Sequence, residues 1–137
     1  MTIVINIKDC PDFNAKRSRD DNDPTRNPND VYIGHYHSSP KHGRYERSDW
    51  HNPYTADVTN NKGEVIEKRD GTRTEIIEKF RRDALGEIVP RKTPPDLLAR
   101  IPELKGKRLG CWCHPKACHG NVLAHWADNG IPSKLTP

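Results

Sequence analysis

The sequence predicts an α/β fold: a small Rossmann-like sheet, mostly parallel, with flanking helices and a peripheral β-hairpin. Three observations carry that expectation. The segment Thr2 to Lys8 is rich in β-branched residues, with Ile3, Ile5 and Ile7 on one face and Val4 on the other. A strand apolar on both faces needs cover on both sides, as in a layered sheet. Strand-like segments then alternate along the chain with segments of helical period. Near the C-terminus, Arg108 to Cys113 reads as a strand that passes through a tight turn into a helix opened by Cys118 or His119.

With 137 residues the chain fits one domain, 1–137. Hydrophobic residues make up 32%, charged residues 31%, and prolines number 12, which points to a modest core carrying long polar loops. The formal charge of +4 is mildly basic, compatible with an anionic ligand and equally with a solvated surface. Met1 to Cys10 lacks the basic leader and apolar stretch of a signal peptide. No run approaches the ~20 apolar residues of a membrane span. A cytoplasmic setting follows, where clustered thiols are metal-binding or reactive more often than disulfide-bonded.

After the first strand, 9–30 is a polar loop or insertion. Lys16, Arg17, Arg19, Asp20, Asp21, Asp23, Arg26 and Asp30 alternate in sign there, and Phe13 is the one large apolar group. Val31 to His35 is a second short strand that ends in Gly34 and His35. His37 to Tyr54 shows no period and reads as an ordered loop, within which Trp50 and Asn52 either contact a ligand or pin the loop to the core. A hairpin follows at 56–67, turning on Asn60-Asn61-Lys62-Gly63. Thr72 and Glu75 have capping-box spacing, with Ile76, Ile77, Phe80 and Ala84 at helical intervals and Gly86 as a stop. A short helix begins at Pro94 and is ended by Pro102. The last helix carries the stripe Val122, Leu123, Trp126 and Ala127, and 131–137 is a tail.

Three cysteines and two histidines fall between Cys111 and His119. Three chemistries compete for them. Cys111, Cys113, Cys118 and His119 have the composition of a zinc site, with His114 as a substitute ligand, although the adjacency of Cys118 and His119 departs from the usual paired spacing. Alternatively Cys118 is an activated thiol at a helix start, where free N–H groups also favour a phosphate. Gly120, without a side chain, lets a ligand approach the backbone, and Asn121 follows it. In the third reading the cysteines are small buried residues closing a turn, which suits Cys10 and Cys111. On alternation, Cys111 and Cys113 share a strand face and Trp112 takes the other.

Tyr32-Ile33-Gly34-His35, Asn52-Pro53-Tyr54, Cys111-Trp112-Cys113 and Cys118-His119-Gly120 stand in the order of a known pattern. The chain resembles the domain of unknown function 4326, a small family of phages and bacteria. That pattern has an arginine where His35 stands here. The strand–turn–helix at the C-terminus also resembles another α/β family with a cysteine-histidine-arginine signature. The resemblance implies the α/β fold and a shared site, and a host cytoplasm if the gene is a phage's. It implies no reaction.

Together these readings place a site where the second strand, the Trp50–Tyr54 loop and the last helix meet. Its expected ligand is a nucleotide or nucleic acid. Cys118 would be nucleophile or a helix-start ligand group, and His119 an acid/base or hydrogen-bonding group. Tyr32, Gly34, His35, Trp50, Asn52, Gly120 and Asn121 would contact the ligand. Lys41, Arg44, Arg47 and Lys116 would meet its charge. The alternative is a zinc-stabilised interaction module without catalysis.

Overall fold

A computed structural model describes residues 1–15, 27–113 and 116–132. Lys16 to Arg26, His114, Pro115 and 133–137 lie outside the described residues, so the expected insertion and tail are seen only in part. In chain order the elements are β1 (Ile3–Asn6), β2 (Asp30–Tyr32), β3 (His37–Ser39), β4 (Gly43–Tyr45), β5 (Val58–Thr59), β6 (Val65–Glu67), α1 (Arg73–Ala84), α2 (Leu97–Arg100), β7 (Arg108–Cys111) and α3 (His119–Asn129). The fold is α/β, as expected.

β7 lies between β1 and β2 and is parallel to both. Its register runs from Ile3↔Arg108 to Asn6↔Cys111 on one side and from Asp30↔Arg108 to Tyr32↔Gly110 on the other. β2 stops at Tyr32 and β7 at Cys111, shorter than the expected His35 and Cys113. Past Asn6 the chain tightens into a 3₁₀ turn, Ile7–Asp9, capped by the Asn6 side chain, which accepts from the Lys8 amide. Trp112 therefore has no strand to pair with. The Asn6 side-chain amide donates to its carbonyl at 3.4 Å instead.

Alternation along these strands sorts the core onto two faces. Val4, Val31, Leu109 and Cys111 turn to a cluster built on the helices, where Ile33, Phe80, Leu97, Ile101, Leu104, Leu123 and Trp126 are buried. Ile5, Ile7 and Tyr32 turn to the other face, where Phe13, Ala15 and Tyr45 complete a smaller cluster and Trp112 packs beside it. Phe13, the one large apolar group of the polar 9–30 segment, is what covers this side of β7. Its ring lies directly on Gly110: a Cβ there would come within 2.3 Å of Phe13 Cζ. Gly110→Ala is therefore expected to cost about 1–3 kcal/mol by overpacking. Denaturant unfolding should show part of that loss recovered in Gly110→Ala/Phe13→Leu. A loss below about 0.5 kcal/mol, the usual range for surface changes, would contradict the packing.

Asp30 ties the polar segment to the sheet. Its buried carboxylate takes Arg108 in a two-pronged pair, Oδ1 to Nε at 2.6 Å and Oδ2 to Nη2 at 2.9 Å, and also accepts the Asn14 amide at 2.9 Å. The Asp30 carboxylate, with a weaker contact from Asp12, holds the Arg108 guanidinium charged well above its usual range.

The expected hairpin forms as β5 and β6 around Asn60–Gly63, with an irregular register between Val58 and Thr59. The expected loop at 37–54 contains a second hairpin, β3 with β4, paired His37↔Tyr45 to Ser39↔Gly43. It has no apolar alternation because only Tyr45 points into a core, stacking on Tyr32 with ring centroids 4.6 Å apart. α1 begins with the expected capping box at Thr72 and Glu75. α2 runs on through Pro102 as a 3₁₀ turn, Ile101–Leu104, which accepts proline in its first positions. Among the described residues no helix is long and apolar enough to cross a membrane.

Candidate functional site

In an open parallel sheet the strands' carboxyl ends leave a crevice where ligands sit. Here β2 ends in Tyr32, β7 ends in Cys111, and the N-terminus of α3 abuts both. A cavity of about 310 Å³ opens at this edge. β2 and the chain after it contribute Tyr32, Gly34, His35, Tyr36 and His37 to its lining, and the end of β7 contributes Cys111, Trp112 and Cys113. α1 adds Arg73, Ile76 and Ile77, the connecting loop adds Asn52 and Tyr54, and the α3 start adds Cys118 and His119. Among the described residues, Arg73 is the one lysine or arginine in this lining, and no carboxylate takes part in it.

The α3 start is built around its own sulfur. Cys118 is the N-cap in extended conformation, and its Sγ accepts the Gly120 amide at 3.3 Å. Asn121 reaches back, its Oδ1 accepting the Cys118 amide at 2.9 Å. A cysteine thus takes the place that serine or aspartate usually fills. Gly120 is confined: a Cβ would meet Ile33 Cδ1 at 2.7 Å and Cys118 Sγ at 3.2 Å.

Cys111 Sγ lies 3.5 Å from Cys118 Sγ, and Cys113 lines the same cavity wall. The row distributes charge unevenly. The Cys118 thiol is lowered from its ordinary value, chiefly because Cys111 donates to it and then because the Gly120 amide does, both against burial. Cys111 gains from Cys113's donation, yet its own donation to Cys118 and its burial leave it raised. Cys113 is raised further, by donating to Cys111 and by burial, with Arg73 opposing. One thiolate is favoured, at Cys118.

His119 turns away from these sulfurs. Its Nε2 lies 2.8 Å from the Ile33 carbonyl and its ring meets Phe80 edge-on at 5.1 Å. Burial holds the imidazole neutral, lowering its pKa to about 4. The ring therefore donates to Ile33 and ties α3 to the end of β2. This placement separates the composition-based zinc set: Cys111, Cys113 and Cys118 are together, but His119 Nε2 is committed elsewhere. Among the described residues no group of three or more histidine, cysteine or acidic side chains is arranged to hold a metal ion.

The rim is a relay of fixed groups. The Trp112 indole N–H donates to the Tyr32 hydroxyl at 2.9 Å, and that hydroxyl donates to the His35 carbonyl. Burial pushes the Tyr32 phenol up to about 12, outweighing the Trp112 bond, so it stays a donor. The exposed His35 ring has Nε2 2.8 Å from the Asn52 carbonyl. Asn52 uses its whole amide internally: Nδ2 donates to Ile76 O at 3.1 Å and Oδ1 accepts from the Tyr54 amide at 2.9 Å. It fastens the loop to α1.

Of the residues singled out in the sequence, Tyr32, Gly34, His35, Asn52, Cys111, Cys113, Cys118 and His119 line the cavity. Trp50, Gly120 and Asn121 do not line it. Trp50 is buried beneath the Arg100 guanidinium, 5.2 Å from its ring centre. Of the basic residues singled out, Lys41, Arg44, Arg47 and Lys116 stand outside the lining, and Arg44 is paired with Glu46 at 2.6 Å. Arg73 was not anticipated. It sits at the first position of α1, where a sequence shows only a solvated helix end, and here it donates to the Ala117 carbonyl at 3.3 Å. His37 and Trp112 were missed as a pair, their rings 4.1 Å apart. The close Cys-Trp-Cys spacing was the available signal, obscured by assuming that strand alternation continues past Cys111.

The model of the family described as Domain of unknown function (DUF4326) matches residues 14–129. A protein of Enterobacteria phage T4, the "Uncharacterized 12.4 kDa protein in nrdA-td intergenic region", is 40% identical over 63 residues. The match covers 46% of this chain and 56% of that protein, so the chain spans little more than half of its relative's length. No solved structure matches.

Proposed function

The chain belongs to this family, the domain of unknown function DUF4326, and from that premise we propose that the cavity at the strand ends receives a nucleotide or nucleic-acid-linked ligand. One observation carries the reading: among the described residues the lining joins aromatic rings to a single lysine or arginine, Arg73, without any carboxylate. Such a surface suits a planar ring that bears negative charge. Trp112, with His37 against it, offers a stacking face, and base stacking on aromatic side chains contributes about 1–3 kcal/mol per base. Arg73 supplies a guanidinium for phosphate. The volume of about 310 Å³ lies at the small end of the ~300–1,000 Å³ typical of ligand sites. It suits a mononucleotide or one flipped nucleotide.

Within this reading Cys118 is the nucleophile, its sulfur already holding the Gly120 amide that a phosphate at the α3 start would need. Phosphate then belongs with Arg73 rather than with the helix start. His119 acts as the hydrogen-bonding group that positions Cys118, since its Nε2 proton is engaged by Ile33.

Calorimetric titration of the reduced protein with nucleoside monophosphates tests the proposal. Saturable binding is expected, weakened about tenfold in Trp112→Ala, as the loss of one stack requires. Arg73→Ala, at an exposed position, should weaken binding and flatten its salt dependence. Absence of saturable binding up to millimolar nucleotide, with the protein folded, would refute it.

A further inference from the structure

We propose that Cys118 and Cys111 form a peroxide-reactive dithiol, which closes reversibly to a disulfide at the wall of the cavity. The chemistry stands apart from the ligand; only its consequence, removal of the Cys118 thiolate from the pocket, rests on the nucleotide reading above.

Two sulfurs from distant backbone environments meet here, one at the end of β7 and one at the start of α3. Their separation of 3.5 Å is non-bonded contact, and a bond of ~2.0 Å needs a shift of only about 1.5 Å shared between them. Both side chains line a cavity that a small peroxide can enter. The two differ in the way the reaction requires. Cys118 holds the amide of Gly120 and the Cys111 thiol as donors, which favour its thiolate. Cys111 keeps its proton until an electrophilic sulfur appears beside it. Cys113 lines the same cavity with Arg73, but the close sulfur contact is between Cys111 and Cys118.

The balance is complete with a hydroperoxide as the oxidant. Cys118 Sγ attacks the peroxide oxygen; an S–O bond forms, the O–O bond breaks, and the departing alkoxide takes a proton to leave as alcohol, or as water from hydrogen peroxide. Cys111 Sγ then attacks the sulfenic sulfur; an S–S bond forms, the S–O bond breaks, and hydroxide leaves as water with the Cys111 proton. Two thiols are oxidised and one peroxide is reduced. A small thiol reductant restores the pair by exchange.

The full-length protein, reduced and freed of reductant, is treated with stoichiometric hydrogen peroxide. Free thiols are counted after denaturation and the products are mapped by fragment mass spectrometry. The expected result is loss of two of the four thiols, a Cys111–Cys118 linkage, and full recovery with dithiothreitol. Cys113→Ser should still lose two thiols and give the Cys111–Cys118 linkage. Cys111→Ser should accumulate a sulfenic acid on Cys118 that dimedone traps, and Cys118→Ser should react about tenfold more slowly or less. A different pairing, only intermolecular linkage, or thiol loss no faster than that of free cysteine would overturn the proposal. Nucleotide titration of the reduced protein separates the two claims. Binding without disulfide formation defeats only the dithiol, and disulfide formation without binding defeats only the nucleotide reading.

Discussion

Asp83→Ala is expected to lower the unfolding free energy by about 3–5 kcal/mol, the cost of stripping a buried polar network of its centre. Asp83 is fully buried within α1. Its Oδ2 accepts the Tyr54 hydroxyl at 2.7 Å and the Lys92 amide at 2.9 Å; its Oδ1 accepts the Thr93 amide at 3.0 Å and the Thr93 hydroxyl at 2.7 Å. Burial alone would raise this carboxyl, but the donors from Thr93, Tyr54 and Lys92 outweigh it and hold it below its ordinary value. A lowered folded pKa contributes stability above the unfolded value and loses it as pH falls. Alanine would leave four donors facing an apolar space. Asparagine keeps the shape but turns an N–H₂ toward some of those donors, so Asp83→Asn should fall between alanine and wild type. Equilibrium unfolding in urea measures both. A loss under about 1 kcal/mol for alanine would show that water replaces the carboxylate, contrary to its burial.

The consequence reaches the pocket, because Tyr54 lines it and Asp83 holds the Tyr54 hydroxyl. Asp83→Ala protein that remains folded should bind ligand less well through a loosened wall. The same carboxylate fastens Lys92 and Thr93, which lead into the Pro94 turn before α2. A single side chain thus couples α1, the loop at Tyr54 and the segment leading to α2.

Little of this could be read from the residues alone. Asp83 follows Arg81-Arg82 and looks like the polar face of an amphipathic helix. What buries it is the 54 loop and the 92–93 segment, which no local pattern places there. By contrast, Thr72-x-x-Glu75 was legible because a capping box is satisfied within four residues. The hairpin at 58–67 was legible for the same reason, since Asn60 accepts the amides of Lys62 and Glu64 in its own turn. The parallel sheet was inferred from Ile3 to Ile7, whose apolar faces need two covering layers. One of those layers, supplied by Phe13 and Tyr45, comes from segments that read as polar loops. β3 and β4 went unseen for the same cause: residues such as His37, Ser38, Gly43 and Arg44 have no strand signature until Tyr45 packs on Tyr32. At the site, the strand-end residues His35 and Cys113 and the helix-start Cys118 stood out in sequence, whereas Cys111 read as a small buried residue. Arg73 and Trp112 became functional candidates only when the fold brought α1 and the end of β7 to one cavity.

His119 yields the second large effect, and its sign follows from burial. The unfolded imidazole titrates near 6.5 and the folded one near 4, so between those values the unfolded chain binds more protons. Stability is complete above the unfolded pKa and falls as pH drops toward the folded one. The difference amounts to roughly 2–3 kcal/mol between neutral pH and about pH 4.5. His35 and His51 both disfavour a charge on His119, and His51 is itself lowered, first by burial, so it adds to the trend in the same direction. Denaturant unfolding across that range is expected to show the loss in the wild type. His119→Gln isolates the cause. Its side-chain amide can donate to the Ile33 carbonyl, as the imidazole does, and it does not titrate. The variant should be less stable than wild type at neutral pH because glutamine fills the space against Phe80 less well, yet it should lose much less on acidification. The two stability curves should therefore converge toward pH 4.5. Parallel curves would mean that the imidazole is accessible enough to protonate in the folded state, and the tie between α3 and the end of β2 would then be a charged one. Convergence would mean that the helix start bearing Cys118 is held in the folded protein by a neutral ring.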